Sequence, residues 1–105
     1  MDGRRLPATA EELMRSRYAA FALGHADHLW RTWHPRTRPA EVDPGALSWL
    51  GLEILDVTGG GPADETGAVE FVAHYRQGKT RGRLHERSRF ARRAGRWLYL
   101  DGEIE

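Results

Sequence analysis

Residues 84–90 read LHERSRF, and they put a carboxylate and a hydroxyl where an apolar row is expected. Side chains alternate across a strand, so Leu84 and Phe90 define one face, and Glu86 and Ser88 fall on it with them. His85, Arg87 and Arg89 take the opposite face. A carboxylate turned toward a core without a partner is costly and takes up a proton or finds a cation. Helical spacing offers the cation. Arg17 lies one turn after Leu13 and one turn before Phe21, inside the apolar arc of Leu13, Met14, Tyr18 and Phe21. The pairing has two readings. It is a structural Arg17–Glu86 ion pair, or a Glu86 at a wet edge, adding little to stability. Alternatively it is the polar floor of a pocket with walls from Tyr18, Trp33 and Tyr75.

His34, in RTWHP, has two readings of its own. A histidine beside a proline at a helix end can cap that end, where positive charge is favoured. At a pocket mouth it is instead a general acid or base. His25 and His28 stand nearby in sequence, but the three histidines lack the spacing of a ligand set, so no metal is expected. On the outward faces, His85, Arg87 and Arg89 are joined by His74 and Arg76. Such a row either holds phosphates or is a solvated surface, and no nucleic-acid motif or interleaved aromatic accompanies it. The glycines of TGGGP lack the lysine and following helix of a phosphate loop.

The elements that must position these residues follow from punctuation and period. Thr9 with Glu12 three residues later forms a capping box, and Gly24 stops the first helix. A second helix is expected from Asp27 to before Pro35, because proline cannot donate to the helical ladder and disfavours helix in the residue before it. Asp43 and Pro44 suggest a third short helical turn. After Ala46 the period becomes two: WLGLEILDV, with Leu50, Leu52 and Ile54 on one face; AVEFVAHYR, with Val69, Phe71, Ala73 and Tyr75 together; RLHERSRFARR; and RWLYL. Helices followed by an antiparallel meander define an α+β fold.

The whole chain narrows the classes. Its 105 residues suit one domain spanning residues 1–105, and 40% hydrophobic with 30% charged content is that of a globular protein. No apolar run approaches the roughly 20 residues that span a bilayer, and the first residues lack a signal-peptide core, so the expected location is cytoplasmic. Cysteine is absent, which excludes disulfides and thiolate metal sites. The net charge of +1 conceals an asymmetry: residues 39–75 hold seven acids and no Lys or Arg, whereas residues 79–96 hold eight Lys and Arg against Glu86 alone.

Six segments in order, TAEELMRSRYAAFALG, LWRTWHP, GLEIL, VEFVAHYR, LHERSRF and GRWLYLDG, resemble the YchJ-like family of uncharacterised bacterial proteins. The resemblance runs from about Thr9 to Gly102. It implies a nuclear-transport-factor-2-like (cystatin-like) fold, a curved sheet wrapped by helices into a cone with an internal pocket, and it implies no assigned activity. Family members, often SEC-C-associated, carry a Cys-rich metal-binding segment ahead of the first motif. This chain has no cysteine and starts near where that segment would end, so metal binding does not carry over and a trimmed or shortened relative is expected.

The expected architecture is therefore three N-terminal helices on a curled antiparallel sheet. The expected function is binding of a small ligand or protein partner by Arg17, Tyr18, Trp33, His34, Tyr75, Glu86 and Ser88, without a cofactor. One alternative is an isomerase- or dehydratase-like enzyme using Glu86 or His34, an analogy from fold alone. The other is polyanion binding by the outer basic face. A homodimer through an exposed sheet face is a further expectation.

Overall fold

The computed structural model describes residues 6–105, so the first five positions of the expected domain lie outside the described residues. Two helices precede four strands: α1 (Ala10–Leu23), α2 (Ala26–Arg31), β1 (Ser48–Gly59), β2 (Thr66–Gln77), β3 (Thr80–Arg93) and β4 (Arg96–Ile104). The strands form one antiparallel sheet in the order β1-β2-β3-β4. The α+β expectation holds.

Helix α1 begins and ends where its side chains dictate. The Thr9 hydroxyl accepts the Glu12 N–H at 3.1 Å, and the Glu12 carboxylate accepts the Ala8 N–H at 2.7 Å. Gly24 closes it in the left-handed region, φ 74°, which costs a residue without a Cβ nothing. The buried face comprises Ala10, Leu13, Met14, Arg17 and Ala20. These pack on the inward row of β2, Val69, Phe71 and Ala73, together with Phe90 and Trp97.

Two expectations about the helices need correction. The second helix ends at Arg31, before the TWH that was assigned to it. The Thr32 hydroxyl turns back to the His28 carbonyl at 2.7 Å, a local bond that competes with helix continuation. The chain then runs extended beside β4: the Tyr99 N–H donates to the Thr32 carbonyl at 2.8 Å and the His34 N–H to the Tyr99 carbonyl at 2.7 Å. The third helical turn at Asp43 does not form. Asp43 instead accepts the Gly45 N–H at 2.9 Å in a local turn.

Strand β1 also departs from the expected alternation. Trp49, Leu52 and Ile54 pack against the core, while Leu50 is 48% exposed. The register explains this. Trp49 opposes Tyr75, but Gly51 opposes His74, so Leu50 is an extra residue in a bulge, and a second irregularity lies between Ile54 and Asp56. Each bulge flips the alternation and bends the strand, which curls the sheet around α1.

The β3–β4 hairpin turns through Ala94 and Gly95, at φ 51° and 79°. Two successive positive φ values are those of the primed turn that matches strand twist. Glycine adopts it freely, but Ala94 carries a Cβ there. Replacing Ala94 by Asn, which tolerates this region, is expected to raise stability by about 0.5–1 kcal/mol. Urea denaturation should show a higher midpoint with an unchanged slope.

Candidate functional site

Arg17 is the centre of the site. It is 4% exposed. Its Nη1 donates to the Leu29 carbonyl at 2.8 Å and to the Thr32 hydroxyl at 2.7 Å. Leu29 ends up at the C-terminal turn of α2, whose carbonyls lack helical donors and attract a cation. The guanidinium carbon stands 4.5 Å from the centre of the Tyr99 ring and 5.4 Å from that of Trp33. Burial pulls the Arg17 pKa down to about 10, while the Tyr99 hydroxyl and the Glu86 carboxylate oppose the shift. Burial likewise pushes Tyr99 up to about 12, with the Glu86 charge adding to the rise.

The expected direct ion pair between Arg17 and Glu86 is absent, because Arg17 directs Nη1 to α2 rather than to β3. Glu86 instead accepts the Ser88 hydroxyl at 2.6 Å, along its own face of β3. Its carboxylate lies against Gly102, which opposes Ser88 on β4. A Cβ at Gly102 would overlap that carboxylate, so the glycine provides its seat.

Arg17, Trp33, Glu86 and Ser88 line a cavity of about 100 Å³, with Met14, Phe21, Phe71 and Tyr99 completing the wall. Four of the seven residues singled out from the sequence thus converge. The other three lie elsewhere. Tyr18 and Tyr75 pack edge-on to Trp49, at centroid distances of 6.1 and 5.6 Å. His34 sits outside the cavity beside the β4 edge, its Nδ1 accepting the Arg36 N–H at 3.1 Å. Partial burial, with Arg36 and Arg93 nearby, holds its pKa below the ordinary value. Of the four wall residues outside the expected set, Tyr99 is the one whose ring meets Arg17. Its signal was present in RWLYL, a strand apolar on both faces, but not the direction of its ring.

His28 does not join the other histidines. Its Nε2 lies 3.2 Å from the Ser16 hydroxyl, linking α2 to α1. Among the described residues, no three His, Asp or Glu side chains converge as a metal site.

The outer face is a ladder of opposite charges. His85 meets Glu70 at 2.7 Å, and Arg87 reaches Asp56 at 3.1 Å and Glu70 at 3.4 Å. Arg89 pairs with Asp101, and His74 lies 3.5 Å from Glu53. The acid-rich and base-rich halves of the sequence are neighbouring strands, so these charges neutralise one another across the ladder. No helix among the described residues is long and apolar enough to cross a membrane.

Two helices across a curled four-stranded meander, with a small, mostly apolar cavity between α1 and the sheet, define a nuclear-transport-factor-2-like domain. Residues 9–102 match the model of the YchJ middle NTF2-like domain, and the chain belongs to that family. It is 58% identical over 98 residues to a UPF0225 protein of Streptomyces coelicolor, covering 91% of this chain and 75% of the relative. It is 53% identical to a UPF0225 protein of Methylibium petroleiphilum, covering 98% and 76%. Among solved structures it is similar to a SEC-C motif containing protein from Rhodopseudomonas palustris, with a TM-score of 0.84 and 36% identity over 96% of this chain and 82% of that one. A SEC-C motif containing protein from Psychrobacter arcticus gives 0.78 and 26%, covering 99% and 65%.

The half-buried His28 carries a pH prediction. Burial is the main cause holding His28 below its usual value, and the Arg17 and Arg31 charges add to it. The unfolded chain takes up its proton near pH 6.5 while the folded chain resists, so stability is complete above that pH and is lost as pH falls through the window below it. The melting temperature should drop between about pH 7.5 and about pH 5.5. In His28→Gln this drop should shrink; an identical slope in the variant would assign the loss to other groups.

Proposed function

We propose that the Arg17 cavity binds a small polar molecule, with an anionic or carbonyl oxygen toward Arg17 and a hydroxyl or amine toward Glu86. The observation that carries this reading is the state of the guanidinium. It is almost wholly buried and lines a cavity, yet only Nη1 donates to a described residue. Nε and Nη2 donate to no described residue and are not sealed from solvent, so both can meet an oxygen that enters the cavity. Glu86 lines the same space and uses one oxygen, Oε2, to accept from Ser88. A volume of about 100 Å³ suits a molecule on the order of five non-hydrogen atoms, or about three waters. Small hydroxy or amino acids fit this size, with their carbons against a lining that is mostly apolar. The apolar walls, Met14, Phe21 and Phe71, favour a ligand with a short carbon backbone over an inorganic ion.

Proton-transfer chemistry is the second reading, and Glu86 is the group that favours it. Among the described residues it is the one carboxylate on the cavity wall, and a bound carbonyl compound would place a carbon beside it. His34 is not available to that chemistry from outside the cavity. Binding through the outer basic row is the least supported reading, since His85, Arg87 and Arg89 each already meet an acid.

The test is titration of an isotope-labelled chain with short carboxylic, hydroxy and amino acids, following the side-chain signals of Arg17 and Trp33. A binder should shift both, and Glu86→Gln should weaken it by about tenfold if a charge-assisted bond is lost. Gly102→Ala should do the same without unfolding the chain, because the added methyl displaces only the carboxylate end of Glu86. If both variants bind every hit as the parent does, the cavity is a water-filled element of the core.

A further inference from the structure

The cavity carries two opposite charges that do not neutralise each other by contact. Arg17 enters its wall from α1 and Glu86 from β3. Neither belongs to an ion pair with a described residue. Arg17 commits Nη1 to Leu29 and Thr32, and Glu86 commits Oε2 to the Ser88 hydroxyl. That leaves Nε and Nη2 on one side and Oε1 on the other. None of these three atoms bonds to a described residue, and none is sealed from solvent. Nε and Nη2 share one edge of the guanidinium plane, and their N–H bonds run parallel along it. That edge matches the two oxygens of a carboxylate.

This separation of charge discriminates among ligands of equal size. A simple carboxylate answers Arg17 but sets a second carboxylate beside Glu86, and two carboxylates in one small space resist being charged together. A simple amine answers Glu86 but meets the guanidinium as a like charge. A neutral molecule displaces water and leaves both charges poorly solvated. A molecule with both charges, its anion toward α1 and its cation toward β3, answers each and adds no net charge. Met14, Phe21 and Phe71 give a third charge nothing to pair with, so the rest of such a ligand is a hydrogen or a methyl group.

We propose that the ligand of this cavity is a small zwitterion, an α-amino acid of the size of glycine or alanine. Its carboxylate lies on the Nε and Nη2 edge of Arg17 and its ammonium on Oε1 of Glu86. This inference rests on the binding reading above and narrows it, because hydroxy acids of the same size are rejected by charge rather than by shape.

Glycine, glycolate and glycinamide test it, since they share one frame and near about pH 7 carry both charges, the negative alone and the positive alone. Titrations followed at the Arg17 side-chain signal should give glycine a Kd at least about tenfold below that of either analogue. Aspartate and lysine should not bind. In Glu86→Gln, which keeps the shape and removes the charge, the preference for glycine over glycolate should disappear. Glycolate that binds the parent as tightly as glycine overturns the inference, and the cavity then remains a site for small carboxylates. A preference unchanged in Glu86→Gln overturns it too, because the ammonium then lies elsewhere. If glycine, alanine and glycolate all leave the Arg17 signal unmoved, the binding reading itself fails and the inference with it. The parent's own ratio needs no variant, so it decides the matter even where Glu86→Gln unfolds.

Discussion

The fold depends on a guanidinium that has been taken out of water. Arg17 stands on the buried face of α1, grips the end of α2 through Leu29 and Thr32, and lies on the Tyr99 ring of β4. The helices α1 and α2 and the strand β4 thus meet at a single side chain. A buried cation is destabilising unless its donors are used and its charge is answered. Here the answer is distributed: the Leu29 carbonyl, a hydroxyl and two aromatic faces, with the Glu86 carboxylate at longer range. The cavity exists because that answer is incomplete on one side.

This arrangement explains why the segment after α2 is extended. If the helix continued past Thr32, Trp33 would leave its place beside Tyr99. Instead, Thr32 caps α2 while accepting from Arg17, and Trp33 bridges to Tyr99 beside β4. The edge of β4 is covered and the guanidinium is roofed by the same few residues. Pro35 reinforces the outcome by making helix unfavourable at His34.

Much of this was legible in the sequence, and the limits have physical causes. The capping box at Thr9 and the stop at Gly24 are local signals and located α1 correctly. The period-two rows of β2 and β3 placed Glu86 and Ser88 inward, because both strands run without irregularity against each other. In β1 the same reasoning misplaced Leu50, since a bulge leaves no mark in a pattern of apolar residues. Helical spacing put Arg17 in the apolar arc but could not say which way a long side chain would reach. It turned to α2, a contact between residues far apart in sequence, and the expected ion pair with Glu86 gave way to a bond between Glu86 and Ser88. Tyr18 and Tyr75 were assigned to the pocket by their position on the right faces, yet both were drawn to Trp49, whose inward direction depends on the same unseen bulge.

The charge asymmetry of the chain acquires its meaning from the register. An acid-rich β1–β2 region and a base-rich β3 repel internally, and each favours the other as a neighbour. The ladder of Glu70, Asp56 and Asp101 against His85, Arg87 and Arg89 sits on the side of the sheet away from the helices, where hydrophobic burial exerts no control over register. A slip of one residue would move every base to the cavity face and expose Phe90, so the two faces specify the same alignment by different forces. That agreement fails at two hairpin ends: Arg76 faces Arg81 at the β2–β3 turn, and Arg93 faces Arg96 at the β3–β4 turn. Both pairs are exposed, so water and salt weaken their repulsion, and neither turn relies on its arginines for packing.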